Sequence, residues 1–241
     1  MALIALVLLT GCVKTTANRD PIITPSTDAS GRPVGSAGAN SPAQALDLAL
    51  AQSAVVTTND LPGFSPKAPD ISSPSPLDEA SGQQLAACLK VPFSDFDKGS
   101  GGQEAEAGFE NGASEIGSNV AIEPTRAPVD KGWAVFTTPG FAKCLESVAR
   151  VSFATLSSGG ISSVSVTRFE PHVGDRSFGF QIRFTMTAGG TSVDGVMDMI
   201  GIFHDRAEIS LLTVGRGMEF DRATALRLAH PMLDRVGTKA A

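Results

Sequence analysis

Five positions, Phe178, Phe180, Ile182, Phe184 and Met186, alternate with Gly179, Gln181, Arg183, Thr185 and Thr187, and they constrain the fold more than any other stretch of the chain. A period of two puts all five apolar side chains on one side of an extended backbone, so the segment has to be a strand with one buried face. Gly189-Gly190 follows and suits a two-residue hairpin turn, because both positions accept positive φ. With Ala188 opposite Thr191, Ile182 faces Met197, Phe180 faces Met199 and Met186 faces Val193. Apolar then meets apolar along the whole ladder, whereas a one-residue slip would turn every side chain to the wrong face. A second hairpin is expected at His204-Asp205-Arg206, where a three-residue loop would put Ala207, Ile209 and Leu211 on the same core face.

The remaining elements follow from caps and periods. Ser41-Pro42 ahead of AQALDLALAQ suits a short helix, with Ser41 as N-cap and Pro42 at its first position. A first strand is expected in SAVVTTNDLPGF, ending at Leu61-Pro62-Gly63. Ser75-Pro76-Leu77-Asp78 reads as a helix start, and that helix carries Leu85, Cys88 and Leu89 on one face. Residues 94–118 look like an acidic, glycine-rich loop, and 119–125 like a short strand. A helix after Thr138-Pro139 places Phe141, Cys144, Leu145, Val148 and Ala149 at i, i+3, i+4, i+7 and i+8. A strand over ISSVSVTRF precedes the two hairpins. Phe220-Asp221 opens a last helix with Leu226, Ala229, Leu233 and Val236 inward and an interruption at Pro231. Hairpin-linked strands with interspersed helices predict an α+β class: a two-layer sandwich, mainly antiparallel sheet, with the helices packed on one face.

The N-terminus sets the expected location. An uncharged apolar run ends in Leu9-Thr10-Gly11-Cys12, the pattern of a bacterial lipobox, in which small residues precede a cysteine whose thiol takes the lipid. The run is shorter than the ~20 residues a membrane-spanning helix needs and fits a signal-peptide core. The expected division is a signal peptide over 1–11, a flexible tether over 12–52, a folded domain over 53–236 and a tail over 237–241. The tether's early part is rich in Thr, Ser, Gly, Pro and Ala and has no apolar period, so it cannot bury enough surface to offset its ordering entropy. As a coil of about 40 residues it would reach on the order of 35 Å. The chain has 3 cysteines. With Cys12 lipidated, Cys88 and Cys144 remain, and an exported protein is expected to bridge them. The net charge of −6 disfavours nucleic acid as a partner.

Asp60-Leu61-Pro62-Gly63-Phe64, Leu85-Ala86-Ala87-Cys88-Leu89, Phe136-Thr-Thr-Pro-Gly-Phe141-Ala-Lys-Cys144-Leu145, the Gly174-Asp175 loop and the last hairpin leading into Phe220-Asp221 follow one another in an order and spacing that resembles actinobacterial cell-envelope lipoproteins. These carry a domain similar to the extracellular sensor domain of the PknH receptor kinase and, more loosely, to the PsbP-like fold. The resemblance implies an antiparallel sheet backed by helices and an extracytoplasmic sensing or binding role. The kinase-linked domains carry two disulfides, and this chain has cysteines for one. The matching residues are scaffold positions, so no functional residue transfers.

Three histidines, His172, His204 and His230, lie in a loop, in a turn and before a proline, and no nucleophile, zinc, phosphate-loop or dinucleotide motif accompanies them. The chain is therefore not expected to be an enzyme or to hold a cofactor or metal. The nearest approach to a metal motif is Asp95-Phe-Asp97-Lys-Gly99 with Glu106, whose first two ligand positions match a calcium loop while Gly99 and Ser100 break it; a solvated acidic loop is the reading preferred. The candidate binding face is the second side of the first hairpin. Its register sets Arg183 opposite Val196 and diagonal to Asp194 and Asp198, with Gln181, Thr185, Ile200 and Ile202 on the same side. Two readings of this cluster stand: a ligand or partner surface with a polar anchor, or an ion pair beside aliphatics that the 94–118 loop covers. The functional expectation is a lipid-anchored, monomeric binding or sensor-like lipoprotein outside the cell membrane, ligand unspecified. The alternative is a structural or accessory envelope protein that binds another protein. A pocket between sheet and helices would favour the first, with several hundred Å³ needed for lipid, and a closed core the second.

Overall fold

A computed structural model describes residues 41–67, 76–96, 102–156, 161–188, 191–217 and 219–237. Cys12, the signal peptide, the tether before Ser41, the Ser75 cap, Asp97–Ser100, the Gly189-Gly190 turn and the last four residues lie outside them. Seven strands, β1 Ser65–Lys67, β2 Gln103–Asn111, β3 Ser114–Ile122, β4 Ile161–Phe169, β5 Ser177–Ala188, β6 Thr191–His204 and β7 Ala207–Arg216, form one antiparallel sheet in the order β1-β2-β3-β7-β6-β5-β4. Among the described residues five α-helices accompany it: α1 Pro42–Ala54, α2 Pro76–Leu89, α3 Arg126–Phe136, α4 Phe141–Leu156 and α5 Arg222–Gly237.

The β5–β6 register is the one expected, with Ala188 opposite Thr191, Ile182 opposite Met197 and Phe180 opposite Met199. The β6–β7 turn is one residue shorter than expected. His204 pairs with Ala207, leaving Asp205 and Arg206 as the turn, and Asp205 takes a left-handed φ of 48°. Because side chains alternate, that single residue moves Ala207, Ile209 and Leu211 to the opposite face of the sheet. There they meet Ile202 and Ile200 rather than Met197 and Met199.

The fold is the expected α+β sandwich on an antiparallel sheet, but both faces of the sheet are apolar and helices cover both rather than one. Helices α2, α3 and α4 cover the first, where Phe141, Leu145, Val148 and Phe153 pack on Phe178, Phe180, Ile182, Phe184 and Met197. Helices α1 and α5 cover the second. Ala51, Ala54, Ala225, Leu228, Ala229 and Met232 pack there on Phe109, Ile116, Val120, Ile200, Ile202, Ile209 and Leu211. Helix α5 runs through Pro231, with Leu228, Ala229, Met232 and Val236 buried on both sides of it, so tertiary packing outweighs the lost backbone bond.

Three further expectations change. Helix α1 has the predicted cap, Ser41 and Gln44 forming a reciprocal capping box, but it belongs to the domain rather than to the tether. Ala51 and Ala54 are fully buried, and Arg206 grips Asp47 through Nη2 at 2.9 Å and Nη1 at 3.1 Å. The packed unit therefore includes residues 41–52, which the expected division gave to the tether. No strand occupies 53–61. Val55 and Val56 are buried, and the chain then turns on Asp60, which accepts hydrogen bonds from the Thr57 amide and hydroxyl and pairs with Arg235. The described residues between 94 and 118 are mostly strand, not loop: after a 3₁₀ turn at Phe93–Asp95 they hold all of β2 and half of β3. Helix α3, for which the sequence suggested nothing, fits tightly on the sheet because Gly132 lacks a side chain. A Cβ there would stand 2.9 Å from a Glu208 carboxylate oxygen and 3.0 Å from the Phe203 ring.

Cys88 and Cys144 are joined, with Cα atoms 5.7 Å apart, and tie α2 to α4. Cys144 faces the core as expected, whereas Cys88 lies on the exposed side of α2.

Candidate functional site

The candidate face lies where β4, β5 and β6 extend beyond the cover of α1 and α5. Alternation along β5 projects Gln181, Arg183 and Thr185 to this side, and β6 adds Asp194, Val196 and Asp198 in the expected register. The loop after β7 returns across the end of the patch, held by a 2.8 Å bond from the Gly217 amide to the Asp194 carbonyl, and delivers Glu219 and Arg222. Asp221 caps α5 by accepting from the amides of Ala223 and Thr224 and from the Thr224 hydroxyl, and the hydroxyl bond is the main reason its carboxyl sits below the usual range.

Arg183 bonds to neither aspartate. Its Nη2 donates to Glu219 Oε2 at 2.9 Å and its Nε to Gln181 Oε1 at 2.8 Å. Gln181 is the hub, since its amide nitrogen donates to Asp198 Oδ1 at 3.0 Å and to Glu219 Oε1 at 2.9 Å. Asp198 is buried, its side chain 2% exposed, and is gripped by Arg222 Nε at 3.0 Å and Nη2 at 3.2 Å. The Arg222 guanidinium also lies 4.1 Å over the Phe169 ring. Asp194 accepts from the Thr185 hydroxyl at 2.7 Å, and Thr185 accepts from Ser163 at 3.0 Å. The Arg183 hydrogen bond, with a second from Gln181, holds the Glu219 carboxyl below its ordinary range, and the Asp198 bond raises the Arg222 guanidinium.

The three candidate residues thus divide into two zones. Asp198, with Arg222 and Gln181, is a buried anchor. Arg183, Asp194 and Glu219 form an open rim continued by exposed Ser163, Ser165 and Thr167. Glu219 and Arg222, just before α5 and at its start, reach over this side from outside the strands, while the described residues from 103 to 118 belong mainly to β2 and β3. Glu219 and Arg222 were not anticipated. An arginine in the first turn of a helix opposes the helix dipole, and that mismatch was the available sign that Arg222 is paired elsewhere.

On the other face a cavity of about 90 Å³ lies between α3 and the sheet, walled by Phe96, Phe136, Phe178, Phe203, Glu104 and Glu208. Sites for drug-sized ligands run to roughly 300–1,000 Å³, so this space is several-fold too small for a lipid chain. The residues of the calcium motif are separated: Asp95 pairs with Lys131 at 2.7 Å, while Glu106 lies on β2 beside Asn119. Among the described residues no group of three or more His, Cys, Asp or Glu could hold a metal ion, and no helix is long and apolar enough to cross a membrane.

No family model matches the sequence, and no curated protein matches it. Among solved structures, the extracellular domain of PknH from Mycobacterium tuberculosis is similar over 73% of this chain and 78% of that one, at 12% identity and a TM-score of 0.33. A score that low marks distant likeness and transfers no role to the residues described above.

Proposed function

We propose that this chain is a lipid-anchored lipoprotein of the cell envelope, held outside the membrane through Cys12, that acts by binding a partner protein on the Arg183 face and not by catalysis. The observation that carries the binding role is the two-zone construction of that face. A buried Asp198–Arg222 pair fixes the strand and loop, while Arg183, Asp194 and Glu219 stand at the surface with their geometry already set. Groups held in place before contact lose less entropy on binding. The size of the cavity supports a protein partner over an enclosed small ligand. The Cys88–Cys144 bridge suits an oxidising compartment, and the Leu-Thr-Gly-Cys12 motif followed by a polar tether suits export and anchoring.

The test has two arms. Cys12→Ser should move the protein from the membrane fraction to the soluble fraction, and a variant that stays with the membrane and lacks a lipid mass at Cys12 in the parent sinks the anchor. A photo-crosslinking residue at Thr167, on the rim, should give a discrete adduct in cells that Arg183→Ala removes. The same residue at Glu110, across the sheet, should not. Equal adducts from both positions, or one insensitive to Arg183, refutes the binding face.

A further inference from the structure

Both sheet edges carry a device against strand addition, and the one on β4 is built from side chains. Edge strands expose unpaired N–H and C=O groups that template another strand. At the far edge β1 is three residues long and contains Pro66. Strand β4 is nine residues long, has no proline and carries no charge before Arg168. Helix α4 lies beside it. Glu146 and Arg150, one turn apart and paired at 3.3 Å, reach over the edge from this helix. Glu146 Oε2 accepts from the Val166 amide at 3.3 Å, and Arg150 Nη2 donates to the Val164 carbonyl at 3.0 Å. These two backbone groups flank Ser165 on the open side of the strand. A neighbouring parallel strand would satisfy the same pair with the C=O and N–H of a single residue. The carboxylate and guanidinium therefore stand in for one residue of an eighth strand.

We propose that Glu146 and Arg150 form a latch that closes the β4 edge, and that opening it lets the edge pair with β4 of a second copy of this chain. The strand is self-complementary about Ser165. In antiparallel register Val164 faces Val166 of the second copy, Ser163 faces Thr167, and Ser165 faces its own equivalent with no like charges opposed. Ser165 directs its backbone groups to β5, where it pairs with Arg183, so its contact across the new interface is the close, non-hydrogen-bonded kind, about 4.5 Å between Cα atoms. That distance is within reach of a disulfide.

Two measurements on the full chain in mild detergent decide the matter. In Glu146→Ala the Val166 amide should exchange with solvent about fivefold faster than in the parent, as expected for loss of one hydrogen bond, while Glu146→Gln keeps an acceptor and the slow rate. Unchanged exchange in Glu146→Ala overturns the latch. Under oxidising conditions Ser165→Cys alone should stay monomeric. Combined with E146A and R150A it should run at twice the mass on a non-reducing gel, and Ser163→Cys in the same open background should not. No dimer from the open Ser165→Cys chain, with melting and the native disulfide confirming its fold, overturns self-pairing. Equal dimer with the latch intact overturns its control of the edge.

Discussion

Arg222→Ala and Arg183→Ala remove the same side chain from the same patch and should differ several-fold in cost. Arg183 is 52% exposed and its partner Glu219 46% exposed, so both are solvated before and after the change. An exposed pair of this kind contributes about 0–1 kcal/mol. Arg222 is partnered by Asp198, whose side chain is 2% exposed. Among the described residues, removing the guanidinium leaves that carboxylate with only the Gln181 amide at 3.0 Å as a side-chain donor. Breaking a buried pair in this way costs about 3–5 kcal/mol. Arg222 is itself 36% exposed, so water can enter the space it vacates, and the figure is discounted to about 2–4 kcal/mol. At about 2–4 °C per kcal/mol for a chain of this size, the Arg222 variant should melt roughly 4–16 °C lower and the Arg183 variant within about 4 °C of the parent. Adding Asp198→Asn to Arg222→Ala should recover most of the loss, because the stranded charge is then gone. Thermal unfolding followed by circular dichroism at neutral pH reads all three. Equal melting temperatures for the two arginine variants, or no recovery in the double variant, would refute the division into anchor and rim.

Three other outcomes follow from the packing. Replacing Cys88 and Cys144 by serine reopens a loop of 56 residues and should cost up to about 4 kcal/mol by chain entropy, read from denaturant midpoints of the oxidised and double-serine chains. Asp60 is partly desolvated, which alone would raise its pKa, but hydrogen bonds from Arg235 and Thr57 outweigh this and leave it below 3.8. A depressed folded-state pKa stabilises above the unfolded value and is lost as pH falls through the folded one, so the parent should lose stability below about pH 4 while Asp60→Asn loses less over that window. A chain trimmed to begin at Ser53 lacks the Asp47–Arg206 pair and the helix covering Phe109, Ile116 and Val120, and should bind a hydrophobic dye where one beginning at Ser41 does not.

How far each element was legible depended on how plainly its period showed. The β5–β6 hairpin could be registered from sequence because large apolar side chains alternate with polar ones and a Gly-Gly turn leaves one pairing that buries them all. Strand β2 has the same period, Ala105, Ala107 and Phe109 against Glu104, Glu106 and Glu110, but alanine and glycine give the alternation little amplitude, so the acidic content dominated. Its turn was visible in Gly112, which takes a φ of 59°. The helices split between two faces for a related reason. In β6, Met197, Met199 and Phe203 point one way and Ile200 and Ile202 the other, so both sides are apolar and only the turn length decides which side of β7 joins which core. One residue in a hairpin thus decided which core Ala207, Ile209 and Leu211 join.

The candidate face shows where strand register stops being informative. Register placed Arg183 diagonal to Asp194 and Asp198 and was correct, yet neither aspartate is its partner, because a loop 36 residues further along supplies Glu219. Cross-strand neighbours are fixed by backbone pairing, whereas charge partners are chosen by whichever long side chain reaches first. The β7–α5 loop reaches first because Gly217 turns it with a φ of 72° and Asp221 fixes the start of α5, putting Arg222 over Phe169 and Asp198. The buried carboxylate then needed a cation from outside the sheet, since the only guanidinium on its own face, Arg183, was held at the rim by Gln181 and Glu219. A buried acid predicted on a sheet face is therefore better read as a demand for a basic residue at a nearby helix start than as half of a pair already complete.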